Sequence, residues 1–168
     1  MKSNRCPPLE TVSEMGAVLV VAPHPDDETL GCGGTLLNHR ERGDDLHWLI
    51  VTRAWEPKYP NGVVRQQAQQ VHAVKAAYPF AGVEWLEFQT TRLETVPMND
   101  LIDHFREVVS RVRPEVVYLP SPFDVHSDHR VVFDAAMAVM KPFYLRSLGI
   151  RRVLACEIPS ETDAGPAA

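Results

Sequence analysis

The stretch Ala17-Val18-Leu19-Val20-Val21-Ala22-Pro23-His24-Pro25-Asp26-Asp27-Glu28 sets two kinds of sequence side by side with no spacer. Its first half is a continuous apolar run rich in β-branched residues. A run without polar alternation belongs to a strand covered on both faces, as inside a parallel sheet. Its second half breaks that run with two prolines and places a histidine next to three carboxylates. A buried strand that ends abruptly in polar, ionisable residues is where an α/β fold exposes chemistry, because ligands bind beyond the carboxyl ends of the strands.

Outward from this stretch the pattern repeats. Leu30, Leu36 and Leu37 predict a helix from Glu28 that stops at Gly43, a residue suited to a left-handed helix end. Leu46 to Thr52 reads as a second strand, Val63 to Tyr78 as a Gln- and Ala-rich helix, and Val83 to Phe88 as a third strand. Met98 to Val112 predicts a helix, with Leu101, Ile102, Phe105, Val108, Val109 and Val112 close to the helical period. Val116 to Pro120, Asp128 to Met140 and Arg152 to Ile158 follow as strand, helix and strand. This alternation predicts an α/β, Rossmann-like three-layer fold, a mostly parallel sheet of about five strands flanked by helices. Residues 1–15, with Pro7 and Pro8 and no periodicity, read as a flexible N-terminal arm, residues 16–163 as a single domain, and residues 164–168 as a small-residue tail.

With 168 residues the chain suits one continuous core. A formal charge of −5 excludes a phosphate-binding nucleic-acid surface, which needs clustered Lys and Arg. No apolar window reaches the roughly eighteen residues of a membrane span, and no apolar segment follows Lys2 and Arg5 as in a secretory leader. Cys6, Cys32 and Cys156 are odd in number and scattered, so reduced thiols and a cytoplasmic location are expected. A homo-oligomer is compatible with this composition.

The expected crevice loops are residues 23–27, 53–61, 89–97 and 121–127. Two are dense in metal-competent groups: His24-Pro25-Asp26-Asp27-Glu28 after the first strand, and Asp124-Val125-His126-Ser127-Asp128-His129 after the fourth. Three of the seven histidines fall in these short stretches, beside four aspartates. Three protein ligands of His and carboxylate type, with one position open to solvent, make a catalytic rather than a structural zinc site. Such a metal polarises a carbonyl and acidifies water, a carboxylate nearby takes a proton, and a further histidine stabilises an oxyanion and protonates a leaving amine. Two aspartates after one strand and two histidines after the other fill each role once, without deciding which aspartate does which.

Simpler explanations cover less. Asp26-Asp27-Glu28 would serve as an acidic helix start, but that accounts neither for His24-Pro25 nor for the second cluster. Gly31-Cys32-Gly33-Gly34 is not a dinucleotide fingerprint, and close helix–strand packing explains it better. Ser121 and Ser127 lack a nucleophile elbow.

The paired motifs, Ala22-Pro23-His24-Pro25-Asp26-Asp27-Glu28-Thr29-Leu30-Gly31-Cys32-Gly33-Gly34-Thr35 and Asp124-Val125-His126-Ser127-Asp128-His129-Arg130, resemble the signatures of the PIG-L/LmbE-like N-acetylglucosamine deacetylases. The resemblance implies a Rossmann-like α/β fold and a zinc ion (another divalent metal in its place) held by His24, Asp27 and His129. It implies Asp26 as general base, His126 as stabiliser of the tetrahedral intermediate and proton donor, Asp128 as the group orienting His126, and Arg65 as substrate-binding. The substrate implied is a small-molecule or glycolipid N-acetyl sugar. Relatives carry alanine where Pro23 stands and glutamate where Ala68 stands. They also continue beyond the segment around Glu157–Asp163, which implies a shortened C-terminus and, as the competing reading, a metal-binding but catalytically deficient form.

Overall fold

The computed structural model describes residues 16–159, so the expected arm, the tail and the last residues of the expected domain lie outside the described residues. The elements run β1 (Ala17–Ala22), α1 (Asp27–Glu41), β2 (Asp45–Arg53), α2 (Asn61–Ala77), β3 (Gly82–Gln89), α3 (Met98–Val112), β4 (Val116–Pro120), α4 (Ser127–Val139), α5 (Pro142–Leu148) and β5 (Arg152–Cys156). A 3₁₀ turn, Leu93–Thr95, lies between β3 and α3. The five strands form one sheet of order β3-β2-β1-β4-β5, with every pairing parallel. The α/β fold expected from the alternation is the fold observed.

The unexpected element is α5. It has seven residues, opens with proline at its first position and closes on Gly149 at φ +81. Two turns are too few for a hydrophobic period to register, so only its end signals were available.

β1 is apolar throughout because both its faces are covered. Val18, Val20 and Ala22 join Leu46, Trp48, Ile50 and Tyr118 beneath Leu36 and Val71, which come from α1 and α2. The alternate residues Leu19 and Val21 join Leu49, Val51, Val117 and Leu119 against α3 and α4. Phe105 of α3 is fully buried in that second layer. Phe105→Ala is expected to lower unfolding stability by about 3–5 kcal/mol, the usual effect of a large cavity, as read from urea denaturation.

The glycine run of α1 sits where the helix is tightly packed. A Cβ on Gly33 would stand 2.6 Å from the Tyr78 hydroxyl, and one on Gly31 would stand 3.1 Å from Cβ of Cys156. The run therefore lets α1 approach both the end of α2 and the last strand, as its composition suggested.

By contrast α2 is lightly held. Val71 is its one buried residue, with Val74 half-buried. A backbone-to-side-chain bond from Ala54 N–H to Gln67 Oε1, 2.8 Å, ties it to the loop after β2.

Chain direction decides where the site lies. From β1 the chain moves outward through β2 and β3, then crosses back to place β4 on the other side of β1. The strand order thus reverses between β1 and β4, and the crevice falls beyond their carboxyl ends. The turn after β1 is pinned there: the Thr52 N–H and hydroxyl both donate to the Pro23 carbonyl, at 2.9 and 2.8 Å.

Candidate metal centre

His24 and Asp27 come from the β1–α1 turn, while His129 comes from the first turn of α4. Their facing atoms form a small triangle. His24 Nδ1 is 3.2 Å from His129 Nε2, and Asp27 Oδ2 lies 3.4 Å from the first and 3.3 Å from the second. The far side of each imidazole is bonded to a carboxylate. His24 Nε2 donates to Asp128 Oδ2 at 3.1 Å, and His129 Nδ1 donates to Asp124 Oδ2 at 2.7 Å. An ionised carboxylate only accepts, so those outer nitrogens carry protons, and the facing nitrogens are the ones a metal would take, displacing any second proton held there.

Two ring nitrogens and an anionic oxygen at such separations favour a cation among them, a proton or a metal ion. Metal–ligand bonds of about 2.0–2.1 Å in tetrahedral array space their ligand atoms about 3.3–3.4 Å apart, which is the triangle observed. The residues present therefore fit zinc. His126 is a third imidazole near the centre, with a ligand atom within 4.8 Å of those on His24 and His129. Asp27 Oδ2 stands at coordination spacing from both His24 and His129.

Charge reports the same demand. Burial alone would push His24 down, but hydrogen bonds to the Asp128 and Asp27 carboxylates outweigh it and raise the group to about 9. Burial would push Asp27 up, yet hydrogen bonds from His129 and His24 hold it well below the usual carboxylate range. Glu28 stands apart from the triangle. It accepts from the Thr29 hydroxyl at 2.6 Å, and burial beside Asp26 and Asp27 raises it to about 7.

Asp128 is fully buried and is held by the β3–α3 connection as well as by His24. Its Oδ2 accepts from Thr91 N–H at 2.7 Å and from the Thr90 hydroxyl at 3.1 Å. That oxygen lies 4.0 Å from His126 Nδ1, while the Asp128 backbone N–H donates to the same nitrogen at 3.1 Å. With Nδ1 accepting, His126 carries its proton on Nε2 and caps α4.

The centre lies on the wall of a cleft of about 420 Å³. His24, Pro25, Asp26, Asp27 and His126 line one side, and Tyr59, Val63, Gln66, Gln67 and Gln70 line another. Asp26 is exposed there, open to solvent. Arg65 is exposed on α2 and is not among the lining residues. Sequence reasoning gave no role to Asp124, Thr90 or Thr91, although Asp124 stood in the quoted cluster five residues before His129. Asp124→Asn is expected to lower zinc affinity about 10–100-fold, measurable by chelator competition, because the fixed orientation and basicity of His129 are lost.

An α/β protein with a preformed, metal-competent His/Asp triangle at its strand-order reversal is the class that fold and site define. The family model described as GlcNAc-PI de-N-acetylase, PIG-L, matches residues 19–140, a span that holds both motif clusters. The chain belongs to the PIG-L family. It is 24% identical over 157 residues to the uncharacterized deacetylase YaiS of Escherichia coli (strain K12), covering 90% of this chain and 79% of that one. It is 26% identical over 129 residues to the diacetylchitobiose deacetylase of Thermococcus kodakarensis, covering 72% of this chain and 48% of that protein. Among solved structures it is similar to the conserved protein TT1542 from Thermus thermophilus, with TM-score 0.72, 28% identity, and coverage of 92% of this chain and 69% of that one. No helix among the described residues is long and apolar enough to cross a membrane.

Proposed function

We propose that this chain is a zinc-dependent hydrolase that removes the acetyl group from an N-acetylglucosamine-type sugar. The observation that carries the reading is the triangle of His24, Asp27 and His129 at coordination spacing, opening on a cleft shared with Asp26 and His126. Family membership and the deacetylase relatives support the reaction class.

Held by these three residues, a divalent metal would supply Lewis acidity toward the amide carbonyl and acidify water. Asp26, exposed in the cleft, takes the proton from water as the oxygen attacks the acetyl carbon. His126 donates a hydrogen bond from its Nε2–H to the developing oxyanion, and the proton that Asp26 took from water passes to the nitrogen as the carbon–nitrogen bond breaks. The products are acetate and the amino sugar. Asp128 acts as a positioning residue: its carboxylate fixes His24, and its backbone N–H holds the His126 ring through Nδ1. Arg65, next in sequence to Gln66 of the cleft wall, is the proposed partner for a substrate oxygen that protrudes from the cleft. A cytoplasmic location goes with this small-molecule role.

The test is acetate release from a panel of N-acetyl sugars by the zinc-loaded chain, with metal content measured on the same sample. Zinc at one equivalent with acetate produced is the expected result. Zinc at one equivalent without acetate from any sugar would leave a metal-binding protein and refute the hydrolase.

A further inference from the structure

α2 is the Gln-rich helix whose composition the metal chemistry leaves unused. Val63, Gln66, Gln67 and Gln70 are spaced i, i+3, i+4 and i+7, so they lie on one face, and all four line the cleft beside His24, Asp26 and His126. Gln67 is committed to the fold through its bond from Ala54 N–H. Gln66 and Gln70 are exposed, and among the described residues their carboxamides have no protein partner. Tyr59 and Leu30 add apolar surface to the same cleft.

We propose that this face of α2 is a carbohydrate-reading wall, in which Gln66 and Gln70 select neutral N-acetylated glycans over sugars carried on phosphate. The inference deepens the deacetylase reading and rests on it for the N-acetyl group. A carboxamide offers donors and an acceptor at one tip, which matches adjacent sugar hydroxyls that each donate and accept. Val63, Leu30 and the Tyr59 ring suit the C–H faces of a pyranose. An anionic carrier meets the opposite chemistry. Two carboxylates, Asp26 and Asp27, line the cleft and no Lys or Arg does among the described residues. Of the cations around the cleft, Lys58 donates to the Thr91 hydroxyl, the Arg92 guanidinium stacks 4.2 Å over Trp55, and Arg65 lies outside the lining, where it would meet the outer oxygens of a glycan rather than a group seated against this wall. A phosphate placed against this wall would lack the fork of cationic donors it requires.

Calorimetric titration tests this on the full zinc-loaded chain carrying Asp26→Asn, so that ligand is not consumed. The probes are N,N'-diacetylchitobiose and a uridine-diphosphate-linked N-acetylglucosamine. The neutral disaccharide is expected to bind at least about tenfold more tightly, and Gln66→Ala with Gln70→Ala to weaken it about tenfold, the effect of losing two neutral hydrogen bonds. Gln66→Lys with Gln70→Lys is expected to shift the preference toward the anionic sugar, a change that mere loss of structure does not produce. Equal or tighter binding of the anionic sugar, an unchanged dissociation constant in the alanine pair, or no binding of either probe overturns the proposal. Acetate release by the unmodified chain separates the two readings. Acetate without a glutamine effect refutes the wall alone, and glutamine-dependent binding without acetate refutes the hydrolase alone.

Discussion

Asp26→Asn is expected to lower the turnover of an N-acetyl sugar by about 10²–10⁴-fold, the range over which a positioned general base contributes, with zinc content unchanged. The substitution keeps the size and hydrogen-bonding reach of the side chain and removes its ability to hold a proton at neutral pH. Asp26 is exposed in the cleft, while Asp27 beside it is buried against His24 and His129. Two neighbouring carboxylates thus have opposite surroundings, and the roles proposed for them divide accordingly. Acetate release at equal zinc loading measures the effect. Loss of zinc together with activity in Asp26→Asn would reassign that residue to the metal, and retention of full activity would remove it from the chemistry.

Zinc affinity of the metal-free chain is expected to fall at least about tenfold for each pH unit below 9, and more steeply where His129, also raised by Asp27 against the effect of burial, takes up a proton. The sign follows from His24. Hydrogen bonds to Asp128 and Asp27 raise it to about 9 against the opposing effect of burial, so at neutral pH it holds a proton on the atom the metal must occupy. A metal binding there displaces that proton, and acid favours the competitor. Asp27, held well below the usual carboxylate range, is already ionised across this interval and adds no slope. Chelator competition at several pH values reads the effect, and buffers of different ionisation enthalpy in calorimetry count the protons released. An affinity independent of pH between 6 and 9 would show that His24 offers a free lone pair throughout.

Much of this was legible before any coordinates. The β-branched run Ala17–Ala22 is buried on both faces, as its lack of alternation required, and each expected strand and helix is present within a few residues. α1 ends at Glu41, and Gly43 just beyond it takes φ +86, the left-handed position that glycine was expected to fill. The two motif clusters do meet, because a parallel strand order that reverses at β1 and β4 leaves them no other neighbours. What sequence spacing could not supply was hydrogen-bond direction. Asp128 reaches His24 from a hundred residues away, and Asp124 backs His129 within one loop; nothing in a list of aspartates distinguishes those partners. Thr90 and Thr91 carry no signal at all, since they act through ordinary hydroxyl and backbone groups. The wall of α2 was visible only as a compositional bias, and it gained meaning once the helix was seen to border the cleft.

The light attachment of α2 has a consequence for how such a protein changes over time. The metal triangle draws all its residues from two turns locked into the central strands, whereas one loosely anchored helix contributes most of the opposite wall. On the proposed reading, mutations on that helix would alter what is recognised without disturbing what is catalysed. New substrate preferences are therefore reachable by drift in a single peripheral segment, with the reactive apparatus inherited intact.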